Sequence, residues 1–260
     1  MAVWFVRVLP RPGVLRAVGV VHTVQNMSST GQCGGPARLR GIGSMPRVNS
    51  IVTRAMSTVA AQLGDPHGLL GKGVALMLNR TNRFAVEAAV EAAGVQAGQA
   101  VADIGFGGGV GLSLLLRRVG AAGTVYGVEI SPDMAARARS RFTRDIGTGG
   151  LRVVEGGLTD LPLAEASLDA AITVNTVYFV ADLDRACAEL ARVVRPAGRV
   201  VIGIGDPEAM ARMPFTATGF RLRPPAEVAA ALERAGLVTE HRRLERQPIP
   251  VHLLIGRSGR

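Results

Sequence analysis

Residues 101–111 read Val101-Ala-Asp-Ile-Gly-Phe-Gly-Gly-Gly-Val-Gly111, and this stretch decides the fold. Its beginning is a short apolar run, as in a buried strand, and the segment that follows at 112–119 is apolar and helical in spacing. Glycines between a strand and a helix let the backbone approach a ligand closely, and the amino end of the helix then points at that ligand. The stretch therefore predicts a strand, a glycine-rich binding turn and a helix.

Short apolar runs alternate with helical segments through the rest of the chain. Strands are predicted near 100–104, 124–129, 151–155, 169–174 and 198–204, and helices near 110–119, 132–144, 182–194 and 225–235. This alternation is typical of a parallel sheet with helices on both faces. The runs 238–244 and 249–255 predict a final antiparallel hairpin at the sheet edge. The expected fold class is α/β: a Rossmann-like, doubly wound, mostly parallel seven-stranded sheet with an antiparallel edge strand, preceded by N-terminal helices.

The chain divides into three regions on its composition. Residues 1–44 hold arginines but no acidic residue, and Pro10 and Pro12 break any helix there, so we expect a disordered extension or a start codon placed too early. Residues 45–94 carry apolar residues at steps of three and four, which predict a helical layer or lid. The Rossmann-like domain is expected to cover residues 95–260.

Composition limits the possible functions. The chain has 260 residues, 48% of them hydrophobic, and a formal charge of +10. Arginine supplies all of the 30 basic residues except Lys72, a skew that indicates coding bias rather than phosphate contact, so no nucleic-acid partner is expected. Two cysteines without CxxC spacing favour no disulfide framework and no metal site, and fit a reducing, cytoplasmic location. No apolar run reaches the roughly 18 residues of a membrane helix, so no membrane span is expected.

A second acidic residue marks the end of the next predicted strand. Glu129 lies 129 − 109 = 20 residues beyond Gly109, where a carboxylate can accept both hydroxyls of a ribose. The strict dinucleotide fingerprint GxGxxG fails, because Val110 and Leu112 stand where its last glycine belongs. An NAD(P)-dependent oxidoreductase is therefore a disfavoured alternative.

Several further segments match one family in order. The turn from Asp103 has the spacing D-x-G-x-G-x-G, residues 156–163 read Gly-Gly-Leu-Thr-Asp-Leu-Pro-Leu, and residues 195–199 read Arg-Pro-Ala-Gly-Arg. The chain resembles a class I S-adenosylmethionine-dependent methyltransferase of the small-molecule type. The resemblance implies S-adenosyl-L-methionine as the cofactor and a set of residues around its methionine, ribose and adenine parts. These are Asp103, Gly105, Gly107, Glu129, Ile130, Leu158 and Asn175.

One position departs from the family pattern. Gly157 stands where the family usually has an aspartate that hydrogen-bonds the adenine amino group. Adenine recognition is then expected to rest on the backbone around Leu158 or on Asp160.

The expected reaction is transfer of the cofactor's methyl group to a small-molecule acceptor by in-line displacement, a step that needs orientation and a dry site more than a dedicated base. His67, in a turn between helices, and Tyr178, after the fourth strand, are candidates for the acceptor pocket. A surface turn and an ordinary core position are their alternatives. A non-catalytic binding module that keeps the cofactor fold is the alternative function. The sequence leaves the oligomeric state and the acceptor open.

Overall fold

The structure is a computed structural model that describes most of the chain from residue 83 onward. The described residues are 83–212, 216, 219–246 and 249–258. The extension 1–44, the predicted helices between residues 45 and 82, and His67 lie outside the described residues, and the boundaries proposed at 44 and 94 stay predictions.

Helices and strands alternate along the described chain. The helices are α1 (residues 83–93), α2 (Val110–Val119), α3 (Pro132–Arg141), α4 (Thr143–Gly147), α5 (Leu183–Val193), α6 (Pro207–Ala211) and α7 (Pro225–Arg234), with a 3₁₀ turn at Val177–Phe179. The strands are β1 (Ala100–Ile104), β2 (Thr124–Glu129), β3 (Leu151–Glu155), β4 (Leu168–Val174), β5 (Val194–Gly205), β6 (Leu237–Leu244) and β7 (Val251–Ser258).

The strands form one seven-stranded sheet in the order β3-β2-β1-β4-β5-β7-β6. The pairs among β1 to β5 are parallel, and β7 runs antiparallel to both β5 and β6. The predicted fold class is confirmed. The final hairpin lies at the edge of the sheet, where β6 is the edge strand and β7 lies between β5 and β6. Because the chain crosses from β3 to β4, the strand order reverses between β1 and β4, and such a reversal opens a ligand crevice at the carboxyl ends of the strands.

Both faces of the sheet are covered, as the apolar runs predict. On one face, α5 and α7 pack on residues such as Ile104, Ile202 and Leu254. On the other face, α1 and α2 pack on residues that include Val101 and Val201. Successive strand residues point to opposite faces, so neighbouring residues of one strand enter different cores.

Two local features differ from the sequence prediction. The helix predicted over 132–144 is two helices, α3 and α4, which meet at Phe142, a buried residue whose ring lies against the glycine turn. Strand β5 begins at Val194 instead of 198 and contains an irregularity opposite β4. The Arg-Pro-Ala-Gly segment forms this irregularity, with Ala197 at a φ of 62°.

Candidate active site

The turn between β1 and α2 requires glycine for its backbone shape. The φ angle is +71° at Gly105, +50° at Gly107 and +75° at Gly109, a region that residues with side chains rarely adopt. A Cβ atom at Gly105 would also lie 2.5 Å from the Oγ1 atom of Thr176. The glycines predicted to surround a ligand therefore form a tight, side-chain-free turn.

Neighbouring elements hold this glycine turn in place. The backbone N–H of Gly105 donates to the carbonyl of Val128 at 2.7 Å, and the guanidinium of Arg141 donates to the carbonyl of Gly108 at 3.2 Å. The ring of Phe142 lies where a Cβ atom on Gly109 would contact it at 3.2 Å. Contacts from β2 and from the α3–α4 junction thus fix the turn from outside.

Asp103 places a carboxylate beneath the glycine turn. Its side chain is 5% exposed, and no hydrogen-bond donor within the described residues contacts the carboxylate. Burial, with a smaller contribution from the nearby carboxylate of Glu129, raises the pKa of Asp103 to about 7. A buried carboxyl group without a donor is costly, and a cationic group bound beside it would remove that cost.

Room for the Asp103 carboxylate depends on Gly111. A Cβ atom at this position, in the first turn of α2, would overlap the Oδ2 atom of Asp103 and would lie 3.3 Å from Cγ1 of Val86 on α1. Sequence reasoning assigned no role to Gly111. The signal for it was present, because Gly111 continues the every-second-residue glycine spacing that starts at Gly105.

Glu129 connects the glycine turn to the start of α3. Its Oε2 atom accepts from the N–H of Gly107 at 2.9 Å, and its Oε1 atom accepts from the N–H of Ser131 at 3.1 Å. Ser131 caps α3 by accepting from the N–H of Met134 at 3.4 Å. Glu129 is 6% exposed. It lies beside the glycine turn, as the sequence predicted.

Ile130 and Gly157 form a ledge next to Glu129. The side chain of Ile130 is 68% exposed, which is unusual for a large aliphatic residue. Gly157 lies across from it, since a Cβ atom there would be 3.6 Å from Cδ1 of Ile130. The side chain of Leu158 is buried in the core, so only its backbone is left for ligand contact. Asp160 is exposed, and its N–H donates to the carbonyl of Gly157 at 3.2 Å.

The tips of β4 and β5 are joined by Tyr178. Its hydroxyl accepts from the N–H of Gly205 at 2.6 Å and donates to the Oδ1 atom of Asn175 at 3.1 Å. Asn175 adopts a left-handed backbone with a φ of 57°. The Tyr178 side chain is 1% exposed, an arrangement that fits the core alternative left open by the sequence. Its role at an acceptor pocket stays a prediction.

An aromatic pair lies at the same edge of the sheet. Phe179 is 39% exposed, and its ring meets that of Phe220 edge-to-face with the centroids 4.9 Å apart. Arg223 fixes this region, because its buried guanidinium donates to the carbonyl of Val177 at 3.3 Å and to that of Val180 at 2.7 Å. The Arg223 side chain also pairs with Glu227. Arg223 is therefore engaged by the protein itself.

Two negative findings apply to the described residues. They contain no group of three or more metal-ligating side chains that could hold an ion. No helix in this part of the chain is long and apolar enough to cross a membrane.

Part of this chain is similar to known methyltransferases. Residues 102–202 match the family model described as a methyltransferase domain, and this range holds the glycine turn, Glu129 and Asn175. The chain is 31% identical over 121 residues to a 2-phytyl-1,4-naphtoquinone methyltransferase of Trichormus variabilis. The aligned residues make up 46% of this chain and 53% of the relative. These matches support the predicted resemblance to class I S-adenosylmethionine-dependent methyltransferases.

Two further matches extend the comparison. A protein in transposon TN4556 of Streptomyces fradiae is 37% identical over 120 residues, which are 45% of this chain and 33% of that protein. The fold of a SAM-dependent methyltransferase from Aquifex aeolicus is similar, with a TM-score of 0.56 at 22% identity over 70% of this chain and 96% of the other. The chain thus spans about half or less of the length of the curated relatives it matches.

Proposed function

We propose that this methyltransferase-family protein transfers a methyl group from S-adenosyl-L-methionine to a small, largely apolar acceptor. The observation that carries the proposal is the pair of buried carboxylates, Asp103 and Glu129, on either side of a glycine turn. Such a site offers acceptors for an amine and for two hydroxyls, and both kinds of group occur in this cofactor. No other described group of residues provides this combination.

The residues present fit the cofactor part by part. Asp103, buried without a donor in the described region, suits the positively charged amino group of the methionine part. Glu129 suits the ribose hydroxyls, and the glycine turn gives the chain a close approach to the ligand. Ile130 suits an adenine face. Bound in this way, the cofactor would supply an electrophilic methyl carbon activated by a sulfonium.

For the acceptor side we propose the aromatic pair Phe179 and Phe220. Phe179 follows β4 and Phe220 precedes α7. Both rings lie at the carboxyl edge of the sheet, the edge at which the proposed cofactor-binding residues lie. Flat apolar molecules pack well on aromatic rings. The relative from Trichormus variabilis is named for a naphthoquinone, which supports a ring-containing acceptor of similar chemistry here.

In the proposed reaction the protein positions the two reactants and excludes water from the acceptor. Tyr178 joins Asn175 at the tip of β4 to Gly205 at the tip of β5, so the floor between the two strands is held at fixed spacing. The apolar rings of Phe179 and Phe220 keep water from the acceptor. Holding two reactants in line contributes several orders of magnitude to a displacement at carbon, so no dedicated base is assigned.

The cofactor proposal is tested by thermal denaturation of the full chain with S-adenosylhomocysteine beside NADH. A ligand at 100 times its dissociation constant adds about 2.7 kcal/mol to the free energy of unfolding. We expect stabilisation by S-adenosylhomocysteine alone, and its loss in Asp103→Ala and Glu129→Ala. Glu155→Ala is the matched control, because Glu155 also ends a strand but is exposed. Stabilisation by NADH alone would overturn the proposal in favour of an oxidoreductase.

The transfer proposal needs an acceptor panel. We expect methyl transfer to a reduced 1,4-naphthoquinone to exceed transfer to a primary amine or a short thiol, and Phe179→Ala to raise KM for the quinol. Binding of S-adenosylhomocysteine with no transfer to any of these acceptors would favour the non-catalytic module.

We also propose a cytosolic location and no obligatory nucleic-acid or membrane partner. The free, buried thiol of Cys187 is consistent with a reducing compartment. Fractionation of the natively expressed protein tests the location.

A further inference from the structure

The base end of the cofactor site has an unusual composition. The inference drawn from this end of the site rests on the proposed function, in which Glu129 holds the ribose and the adenine lies beyond the ribose, on Ile130. The Ile130 side chain directly follows Glu129 in sequence and is 68% exposed. An exposed branched side chain offers a flat purine an apolar contact and no hydrogen bond.

Gly157 adds no side chain to this ledge. A Cβ atom built there would meet only Cδ1 of Ile130 within 4 Å, at 3.6 Å. The φ angle of Gly157 lies outside the left-handed region, so the backbone does not require glycine. Its effect is on space, because no other described residue, apart from its two chain neighbours, lies within 4 Å of a Cβ atom at this position.

The turn that carries Gly157 is held by several hydrogen bonds. Arg185 on α5 donates to the carbonyl of Thr159 at 2.8 Å. Glu189 on the same helix accepts from the N–H of Leu161 at 2.8 Å. The N–H of Asp160 donates to the carbonyl of Gly157 at 3.2 Å. The opening beside Ile130 is therefore a built feature of the turn.

We infer that the site holds adenine by the Ile130 side chain and the main chain at 157–158, without a side-chain acceptor for the exocyclic amine among the residues that the structure describes. The site then accepts a wider class of ligands than the unmodified cofactor alone. It includes S-adenosyl compounds that carry a bulky substituent on N6 of the purine. Gly157 is the specificity-determining position, since a longer side chain there would occupy the space that the substituent needs.

The inference is tested by calorimetric titration of the full chain with S-adenosylhomocysteine and with its N6-benzyl derivative. We expect the two dissociation constants of the wild-type protein to lie within about threefold of each other. In Gly157→Asp, a charge-assisted hydrogen bond to the amine should tighten S-adenosylhomocysteine about tenfold. The same variant should weaken the N6-benzyl compound at least tenfold relative to S-adenosylhomocysteine.

Two control variants sharpen this test. Gly147→Asp makes the same substitution at the end of α4, where a Cβ atom also meets nothing within 4 Å, and should leave both affinities unchanged. Asp160→Ala should change the affinity for S-adenosylhomocysteine less than twofold.

The possible failures are distinguishable. If the wild-type protein binds S-adenosylhomocysteine but rejects the N6-benzyl compound by tenfold or more, the inference is wrong and the proposed function stands. A tenfold loss in Asp160→Ala would also overturn the inference, because Asp160 would then be the missing acceptor. If the folded protein binds neither compound, the proposed function and the inference both fail.

Discussion

Asp103 carries a carboxyl group that folding removes from water. Its pKa in the folded protein is about 7, raised from 3.8, so the folded state keeps a proton that the unfolded chain releases. The free energy of unfolding should therefore fall as pH rises from about 4 to about 7 and then level off, by roughly 4 kcal/mol for a shift of this size. Asp103→Asn, which cannot ionise, should be more stable than the wild type at pH 8 and close to it at pH 4.

Urea denaturation at both pH values measures this difference. The same variant should lose most of its affinity for S-adenosylhomocysteine, because an amide does not compensate the charge of an amine. A stability difference that stays constant between pH 4 and pH 8 would show that Asp103 is not the titrating group.

Gly111 has a steric role that opposes its helix propensity. Alanine is favoured over glycine by about 1 kcal/mol inside a helix, yet a Cβ atom at this position of α2 would overlap the Asp103 carboxylate. We expect Gly111→Ala to lower the free energy of unfolding by about 1–3 kcal/mol, as overpacking does. Gly147→Ala in α4 has open space and should be neutral or slightly stabilising in the same chemical denaturation series.

At the scale of secondary-structure elements, Tyr178 connects the ends of β4 and β5. Tyr178→Phe would leave the N–H of Gly205 without the hydroxyl that accepts from it at 2.6 Å. An unsatisfied buried group costs about 1–3 kcal/mol, so the melting temperature should drop, and the affinity for S-adenosylhomocysteine should drop with it if Asn175 is displaced. Phe179→Leu, which alters a half-exposed neighbour without polar contacts, is the control. Equal stability of Tyr178→Phe and wild type would exclude the connecting role.

The elements themselves were largely predictable because each has one clear period. The strands at 100–104, 124–129 and 151–155 have the predicted bounds, since short apolar runs between turn residues have few alternatives. The break at Phe142 was not predicted, because it depends on a ring packing against a glycine 33 residues earlier. The burial of Tyr178 likewise depends on Gly205, which sequence spacing does not connect to it.

For the candidate site, the sequence predicted which carboxylates lie close together but not the contacts around them. Asp103 is the last residue but one of β1 and Glu129 is the last residue of β2, so parallel pairing of these strands brings them near each other. The buried, donor-poor state of Asp103 within the described residues could not be predicted, because it depends on how α1 and α2 close over it. The contacts of Arg223 to the carbonyls of Val177 and Val180 could not be predicted either, because both valines are more than 40 positions away from Arg223 in sequence.

At the scale of the whole molecule, stability should be highest at the centre of the sheet. Strand β1 pairs with β2 and β4 on its two sides, and Val101 and Ala102 are fully buried. Helix α4 has no buried residue. Native-state hydrogen exchange should therefore show the amides of β1 opening only with global unfolding, and those of α4 by local fraying. Equal protection of both elements would contradict this view.

The buried carboxyl group beneath the glycine turn also has a consequence for the solution around the protein. Near pH 6 the unliganded site carries a proton on Asp103 for most of the time, given a pKa of about 7. A cationic amine entering the site favours the ionised carboxylate, so that proton is expelled to the solvent as the ligand arrives. Cofactor binding should then release up to one proton per protein molecule into a weakly buffered sample, and a pH electrode would detect this release.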